Sequence, residues 1–344
     1  MNLDHYIEEL KTLVNVDCGT QTIDGVAAVA GIMQQLWQRE GWHTEQVNLG
    51  DKVGPGVFVS NKPQAERFDV LLVGHLDTVF PAGTVAGRPL SEDDTRLYGP
   101  GVSDMKSGLL NILWAMRGLD AADNERLAIA VAMNPDEETG SVHSHEWIGE
   151  LAKRSRCVLV CEAARVDGSL VKARKGMAGY HLTFSGVAAH AGNDPEKGRS
   201  AITALANSVI AINALTDWDR GTTLNIGVIH GGSAANVVAD SAVAELDVRF
   251  WENDEYDRVN QALEALCEKG FLDGVTTTLA RVNHKPAMAA SIATQALMQQ
   301  VEAAGKAEGI DITWQAVGGG SDANHTAALG IPTLDGLGPV GAGF

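Results

Sequence analysis

The chain of 344 residues is 45% hydrophobic and 20% charged, so it can bury a sizeable core and is long enough for two domains. Its formal net charge of −18 at pH 7 argues against nucleic acid and anionic membrane surfaces, which both attract basic patches. No apolar run approaches the roughly 20 residues that span a bilayer, and the start MNLDHYIEELKTLV lacks the features of a secretory signal. We therefore expect a cytoplasmic protein that binds neither nucleic acid nor membrane.

Helical spacing and continuous apolar runs alternate along the first part of the chain. The helix-like segments are residues 3–14, 26–37, a stretch after Ser107, and 142–153. The strand-like runs lie near residue 57 and at 69–79, 127–134 and 158–162. Their continuous apolar character predicts strands buried on both faces, and hence an α/β domain with helices on both faces of a central sheet.

The segment 177–286 changes character and reads as strand, helix, two strands, helix and strand. This order, βαββαβ, predicts a ferredoxin-like α+β unit inserted as a small domain. Helix–strand alternation returns after the insert. We therefore predict a discontinuous first domain, residues 1–176 and 287–344, that is interrupted by a lid at residues 177–286.

Polar residues that can bind a metal stand where the predicted strands end. His75 and Asp77 lie two apart in the run 69–79, so their side chains point to the same side. This spacing favours a metal-binding histidine with a carboxylate that orients it, although a His-Asp pair that closes a strand structurally is an equal alternative.

Carboxylates recur at other strand ends. Asp104 stands in the glycine-rich GPGVSDMKSG, where a helix N-cap is the plain alternative. Asp136, Glu137 and Glu138 follow the run LAIAVAMN, and Glu162 ends VLVCE. A single solvated acidic turn is common, but carboxylates at several strand ends repel one another unless cations or solvent relieve them. Histidine nitrogen with carboxylate oxygen suits zinc, so the pattern indicates a metal-dependent hydrolase.

In order and context these residues resemble the M20 family of metallopeptidases. The resemblance rests on His75-x-Asp77, the glycine-flanked Asp104 followed by Met-Lys, the acidic turn, the strand-ending Glu162 and the βαββαβ insert. It covers essentially the whole chain. It implies a zinc-peptidase-like catalytic domain, a lid that also serves dimerisation, and a homodimer.

The resemblance also assigns the metal ligands. His75, Asp104 and Glu162 are expected to hold one zinc ion, and Asp104 to bridge to a second zinc ion held by Glu138. A cis peptide bond is expected at Asp104-Met105.

Catalytic roles follow from the same resemblance. Glu137 is expected to be the general base, and Asp77 to orient His75. His190, in the lid sequence SGVAAHAG, is expected to stabilise the developing oxyanion, although a lone histidine there would more often be a surface residue.

Substrate-binding residues are expected in the lid and near residue 320. Asn236 and Arg249 resemble residues that hold a substrate carboxylate, for which arginine offers a bidentate fork; a turn asparagine and a surface strand arginine are the plain alternatives. Gly319 and Gly320 belong to VGGGSDANH, which resembles the family's glycine-rich segment beside the active site. The form GGGSDA is closest to the glutamate carboxypeptidase branch. It implies release of a C-terminal glutamate, or a similar amino acid, from a small peptide or an N-acyl amino acid.

One element of the family pattern is missing from the printed sequence. In the family, a final histidine after a glycine-rich stretch completes the second zinc site, and a closing helix follows. Here the sequence reads DGLGPVGAGF. We therefore expect a second zinc site without its histidine, either in a truncated chain or because only part of the natural protein is given.

Two alternatives to a carboxypeptidase remain at this point. The same centre could remove an acyl group from an amino acid, as in the aminoacylase and acetylornithine deacetylase relatives. The chain could also be an inactive, truncated homologue that keeps the fold without turnover.

Overall fold

The computed structural model describes residues 2–343 and divides the chain into two compact units. Within the described residues, the first unit comprises the chain up to Ala173, residues 289–317 and the residues from Ser321 onwards. The second unit comprises Arg174–Met288 and Gly318–Gly320. The catalytic and lid roles predicted for the two parts of the chain stay predictions.

The helices and strands have the following bounds. The helices are α1 (Leu3–Val14), α2 (Ile23–Arg39), α3 (Thr84–Gly87), α4 (Ser107–Arg117), α5 (Ala121–Arg126), α6 (His145–Lys153), α7 (Ala201–Asn213), α8 (Asn253–Lys269), α9 (Ile292–Ala307) and α10 (Asp322–Ala328). The strands are β1 (His43–Val47), β2 (Gly56–Ser60), β3 (Val70–His75), β4 (Ser91–Glu92), β5 (Leu97–Tyr98), β6 (Ile129–Asn134), β7 (Val158–Val160), β8 (Leu170–Arg174), β9 (Gly176–Ser185), β10 (Ala189–His190), β11 (Thr223–Gly231), β12 (Val237–Val238), β13 (Ser241–Phe250), β14 (Thr276–Lys285), β15 (Trp314–Val317) and β16 (Thr333–Leu334).

The first unit is built around a mixed sheet in the order β1-β2-β6-β3-β7-β16. β1, β2 and β6 pair antiparallel, whereas β6, β3, β7 and β16 run parallel. Along β3, Leu71 and Val73 point to one face and Leu72 to the other, and all three are buried. The central strands are therefore covered on both faces, which confirms the predicted α/β fold.

Helices cover this sheet because their apolar stripes pack against it. Leu10 of α1, Trp37 of α2 and Leu109 of α4 share one hydrophobic core with Val131 of β6. Helix α10 contacts β7 and β16 and also packs against α6. None of the helices in the described part of the chain combines the length and apolar character of a membrane span.

The second unit contains an antiparallel sheet in the order β11-β13-β9-β14, with α7 and α8 packed against it. Burial alternates along β13, as expected for a sheet with helices on one face. Phe184, Leu246 and Leu263 belong to its separate hydrophobic core. The element order βαββαβ and this strand order confirm the predicted ferredoxin-like insert.

Some predicted bounds were wrong for local reasons. The strand expected at 69–79 ends at His75, and the helix expected from residue 142 begins at His145. Ser141 has a φ of 56°, outside the right-handed helical region, and α6 begins only after Ser144, which is its N-cap residue. Strand β1 was not predicted, because its polar sequence HTEQV lies exposed at the edge of the sheet.

Candidate metal centre

The predicted metal-site residues meet at one edge of the first unit's sheet. His75 ends β3, the turn Glu137–Thr139 follows β6, and Glu162 follows β7. These three strands are parallel neighbours, so their carboxyl ends share one edge. Asp104, in the turn just before α4, reaches the same place.

His75 is the centre of this arrangement and is almost fully buried. Its Nε2 lies 3.0 Å from Asp104 Oδ1 and 3.4 Å from Glu162 Oε1. On the other side of the ring, Nδ1 lies 3.0 Å from the Asp77 backbone oxygen and 3.2 Å from Asp77 Oδ1. Asp77 thus engages Nδ1 and leaves Nε2 facing the two carboxylates, the arrangement that metal-binding histidines commonly have.

Asp77 also holds the acidic turn. Its Oδ1 accepts the backbone N–H of Glu137 at 3.2 Å, and its Oδ2 accepts that of Glu138 at 3.3 Å. The hydroxyl of Thr20 donates to Oδ2 at 2.6 Å. One buried carboxylate therefore connects the imidazole to the two glutamates that share its edge of the sheet.

Burial and the close approach of charged groups at this edge of the sheet shift the pKa values of three residues, Glu138, Glu162 and His75. Burial raises the pKa of Glu138 to about 8, with His75 opposing and Asp104 and Glu137 adding to the rise. Burial likewise raises the pKa of Glu162 to about 7, against the attraction of His75. For His75 burial opposes the charged form, but the neighbouring carboxylates outweigh it and its pKa is raised. A cation at this edge would stabilise all of these carboxylates at once.

Among residues 2–343, two groups of side chains bring their ligand atoms within 4.8 Å of one another. They are His75, Asp104 and Glu138, and His75, Glu137 and Glu162. One imidazole nitrogen with carboxylate oxygens fits zinc. The grouping differs from the predicted ligand sets, because Glu138 joins His75 and Asp104, and because Glu137, the predicted base, lies within ligand range. The division of roles among these residues stays a prediction.

Close packing brings the Asp104 turn to the end of β7. The peptide bond Asp104-Met105 is cis, which confirms that expectation. Gly108, the second residue of α4, lies so near β7 that an added Cβ would be 2.1 Å from the Cys161 backbone oxygen. The absence of a side chain at Gly108 therefore lets α4 begin against the residue that precedes Glu162.

The second unit contains the predicted lid residues, and it brings His190 and Asn236 together. His190 in β10 pairs with Val237 in β12, and the next residue, Ala191, donates its N–H to the Asn236 backbone oxygen at 2.9 Å. The Nδ1 atom of His190 accepts two backbone N–H bonds, each of 3.1 Å. The neutral ring therefore has its proton on Nε2, which can act as a donor.

The remaining predicted substrate residues also lie in the second unit. The Nε of Arg249 donates to both carboxylate oxygens of Asp247, at 3.1 and 2.8 Å. The Gly319 oxygen accepts a bond of 3.0 Å from Arg174, and Gly320 is half-buried beside it. The guanidinium of Arg249 is thus already partly neutralised by its neighbour on β13.

Comparisons with known proteins agree with this geometry. The family model of the M20 peptidase dimerisation domain matches residues 172–275, and that of peptidase family M28 matches residues 57–211. Carboxypeptidase G2 of Pseudomonas sp. (strain RS-16) is 29% identical over 98% of this chain and 82% of its own length. The chain thus resembles the M20 family of metallopeptidases over nearly its whole length.

Other proteins similar to this chain are a deacetylase and, among solved structures, peptidases. Acetylornithine deacetylase of Salmonella arizonae is 30% identical over 58% of this chain and 56% of its own length. Aminopeptidase PepT of Bacillus cereus has a TM-score of 0.78 at 24% identity, with 97% of this chain and 90% of that one covered. The M20 metallo-carboxypeptidase Sso-CP2 of Sulfolobus solfataricus has a TM-score of 0.70 at 18% identity, covering 98% and 91%. The two structures share the fold, and the likeness to carboxypeptidase G2 together with the peptidase dimerisation domain supports a hydrolase.

The residues that support this candidate metal centre were not predicted from the sequence. Thr20 contacts Asp77 from 57 positions away, and Asp322 contacts Asn134 and Ser141 across more than 180 positions. None of these residues stands in a motif with metal-ligand spacing. In GGGSDA the glycines were predicted to be functional, whereas its aspartate, Asp322, is the residue that contacts Asn134 and Ser141 on either side of the acidic turn.

Proposed function

We propose that this protein is a zinc-dependent hydrolase that cleaves an amide bond and releases a C-terminal glutamate, or a similar amino acid, from a small peptide or an N-acyl amino acid. The observation that carries this proposal is the placement of His75, with Asp77 on its Nδ1 side and carboxylates facing Nε2. The likeness to carboxypeptidase G2 supports the choice of substrate.

The proposed mechanism divides the work among residues of the first unit. His75, Asp104, Glu138 and Glu162 would hold the metal, which when bound acts as a Lewis acid and lowers the pKa of water at the site. Glu137 would accept a proton from the attacking water and pass it to the leaving nitrogen.

Residues of the second unit are proposed to bind the substrate. His190 would donate a hydrogen bond from Nε2 to the developing oxyanion, consistent with the two donors that occupy its Nδ1. Asn236, Arg249, Gly319 and Gly320 are proposed to hold the substrate carboxylate.

The size of a cavity in the first unit supports a small substrate. The cavity has a volume of about 580 Å³ and reaches Asp104, and its lining includes Arg88, Arg96 and Tyr98. Ligand sites for small molecules are commonly of this size, and the two arginines favour an anionic group.

Substitution of the proposed base tests the mechanism. Glu137→Gln should lower kcat by about 10²- to 10⁴-fold, since a positioned general base contributes that much. The zinc content per chain, measured by mass spectrometry of the metal, should stay unchanged. Glu146→Gln, at an exposed position in the first turn of α6, is the matched control and should keep full activity. Loss of zinc in Glu137→Gln would show a metal ligand instead of a base, and unchanged turnover would overturn the assignment.

An N-acyl amino acid deacylase is the second candidate, favoured by the likeness to acetylornithine deacetylase. Both activities release an amine and a carboxylate, so the metal centre does not discriminate between them. A panel of peptides ending in glutamate and of N-acyl amino acids would do so by comparing kcat/KM. A zinc content near zero with no hydrolysis of any panel member would instead favour an inactive homologue.

We also propose a homodimer formed through the second unit, because the matched family model describes a peptidase dimerisation domain. Sedimentation equilibrium should give twice the chain mass of 36.3 kDa. A single species at the monomer mass across micromolar concentrations would contradict this proposal.

A further inference from the structure

Asp322 is a buried carboxylate that the proposed mechanism does not use. It is the first residue of α10 and is only 1% exposed. The side-chain amide of Asn134 donates to its Oδ2, and the hydroxyl of Ser141 donates to its Oδ1. Asn134 ends β6 and Ser141 follows the acidic turn, so one side chain holds both ends of the segment that carries Glu137 and Glu138.

The acidic turn has internal hydrogen bonds as well. Asp136 accepts the N–H of His143 at 2.7 Å and the hydroxyl of Ser144 at 2.5 Å, and its backbone oxygen accepts the N–H of Ser141. These bonds close the loop on itself. They attach it only to the residues at the start of α6, which directly follow it in the chain, whereas the bonds to Asp322 attach it to the distant helix α10.

The turn is held from its other side by Asp77, which accepts the backbone N–H groups of Glu137 and Glu138. The two glutamates therefore lie between two buried carboxylates from distant parts of the chain. Asp77 fixes the middle of the turn relative to His75, and Asp322 fixes its two ends.

A carboxylate at position 322 is costly for stability. It is buried in contact with Asn134 and Ser141 on either side of an acidic turn, and a buried charge disfavours folding unless its hydrogen bonds compensate. Uncharged residues of similar size at such sites are often neutral or stabilising. An anion that accepts two donors at separate oxygens gives a geometry that a neutral side chain does not reproduce, which points to a role in positioning.

We propose that Asp322 is a positioning residue, which holds Glu137 and Glu138 at the metal edge by bonding Asn134 and Ser141 at the two ends of the acidic turn. This inference rests on the proposed function, because it assigns those glutamates to the zinc centre. In this role Asp322 would act through the turn, without being a ligand of the metal or of the substrate.

The test compares four variants in the full chain. Asp322→Ala removes both bonds, Asp322→Asn keeps the shape without the charge, and Ser141→Ala removes one bond. Thr326→Val is the matched control, because Thr326 is buried in the same helix and bonds to Thr333 at 3.1 Å without touching the turn. The readouts are kcat, KM, zinc affinity by chelator competition, and the melting temperature.

Asp322→Ala should lower kcat about 10- to 100-fold and weaken zinc binding by a similar factor, as is usual when a residue that supports metal ligands is removed. KM should change less than about threefold, because substrate contacts are untouched. Ser141→Ala should show smaller changes in the same direction, and Asp322→Asn intermediate ones. Thr326→Val should lower the melting temperature alone.

Equal kcat and zinc affinity in Asp322→Ala and Thr326→Val, at a temperature where both are folded, would overturn the positioning role. If Asp322→Ala does not fold, the test rests on Ser141→Ala. A kcat and a zinc affinity equal to those of the parent chain in that variant would also overturn the positioning role. If the parent chain binds zinc but hydrolyses no panel member, the proposed function fails, while the zinc affinities still decide the role of Asp322.

Discussion

At the residue scale, Asp77 connects two parts of the centre. Its carboxylate contacts His75 Nδ1 and accepts three hydrogen bonds, from Thr20 and from the backbone of Glu137 and Glu138. An anion can accept all of these bonds, because it has four lone-pair sites and no proton of its own. Because both oxygens accept N–H groups, an amide at this position would set its own donor against one of them.

We predict that Asp77→Asn weakens zinc binding about 10- to 100-fold and lowers kcat. The new amide group would point a donor at a backbone N–H donor, so the turn and the imidazole would lose their shared support. Chelator competition measures the affinity. Asp240→Asn, at an exposed position, is the control and should match the parent chain. Equal zinc affinity in the two variants would contradict the prediction.

At the element scale, the start of α4 is placed by its contact with the end of β7. Gly108 makes that contact possible, because any Cβ there would overlap the Cys161 backbone oxygen. Asp104 precedes this helix and Glu162 follows Cys161, so the separation of the two elements sets the separation of the two carboxylates. Helix packing is thus a direct determinant of the metal site.

We predict that Gly108→Ala destabilises the protein by about 1–3 kcal/mol, the usual cost of overpacking, and reduces zinc affinity. Gly31→Ala, in helix α2, is the matched control, because a Cβ added at Gly31 would have no heavy atom of a neighbouring group within 4 Å. It should stabilise the protein by about 0.5–1 kcal/mol, as alanine does in an exposed helix. Chemical denaturation measures both values, and a stabilised Gly108→Ala would refute the packing argument.

Helix α8 in the second unit carries a network of charged residues that should make the stability of the protein depend on pH. Arg258 donates to Glu255 at 2.7 Å and Thr222 donates at 2.6 Å, while Arg220 forms a further ion pair. The hydrogen bond from Arg258 is the largest cause of a lowered pKa of Glu255, which falls from 4.5 to about 2. Burial opposes this shift, whereas the hydrogen bond from Thr222 and the charge of Arg220 add to it. The folded state therefore binds fewer protons than the unfolded state between these two values.

Stability should accordingly fall as pH falls from about 4.5 towards 2. Glu255→Gln should flatten this part of the profile and destabilise the protein by about 2 kcal/mol at neutral pH, because its hydrogen bonds to charged groups are lost. Denaturant midpoints at several pH values measure the slope. Glu268→Gln, exposed on the same helix, should leave it unchanged. An unaltered slope in Glu255→Gln would rule out this carboxylate as its source.

At the scale of the whole molecule, the two units have separate hydrophobic cores. The residues proposed to hold zinc all lie in the first unit, and the Glu255 network lies in the second. A ligand that binds one unit raises the stability of that unit according to its concentration and affinity.

We predict that zinc at 100 times its dissociation constant stabilises the first unit by about 2.7 kcal/mol, which corresponds to a rise of about 5–10 °C in its calorimetric transition. Glu255→Gln should lower the transition of the second unit. His75→Ala is the control and should abolish the zinc-dependent shift. A shift that survives His75→Ala would place the zinc site elsewhere.

The sequence by itself determined the longer helices, the buried strands and their order. Helix α1 was predicted at its observed bounds, and the buried strands β3, β6 and β7 were recognised, because amphipathic period and apolar continuity are local properties. The same patterns placed His75, the acidic turn and Glu162 at the ends of buried strands. The edge strand β1 escaped prediction, since an exposed strand carries no apolar pattern.

Only the tertiary structure decided which side chains meet. The bonds from Thr20 to Asp77 and from Asn134 and Ser141 to Asp322 join residues 57 to 188 positions apart. The close approach of Gly108 to Cys161 likewise depends on how a helix packs on a strand. Local patterns carry no information about such contacts, because their geometry follows from the packing of whole elements. The ligands of the candidate metal centre could therefore be named from the sequence, whereas the residues that hold them in place could not.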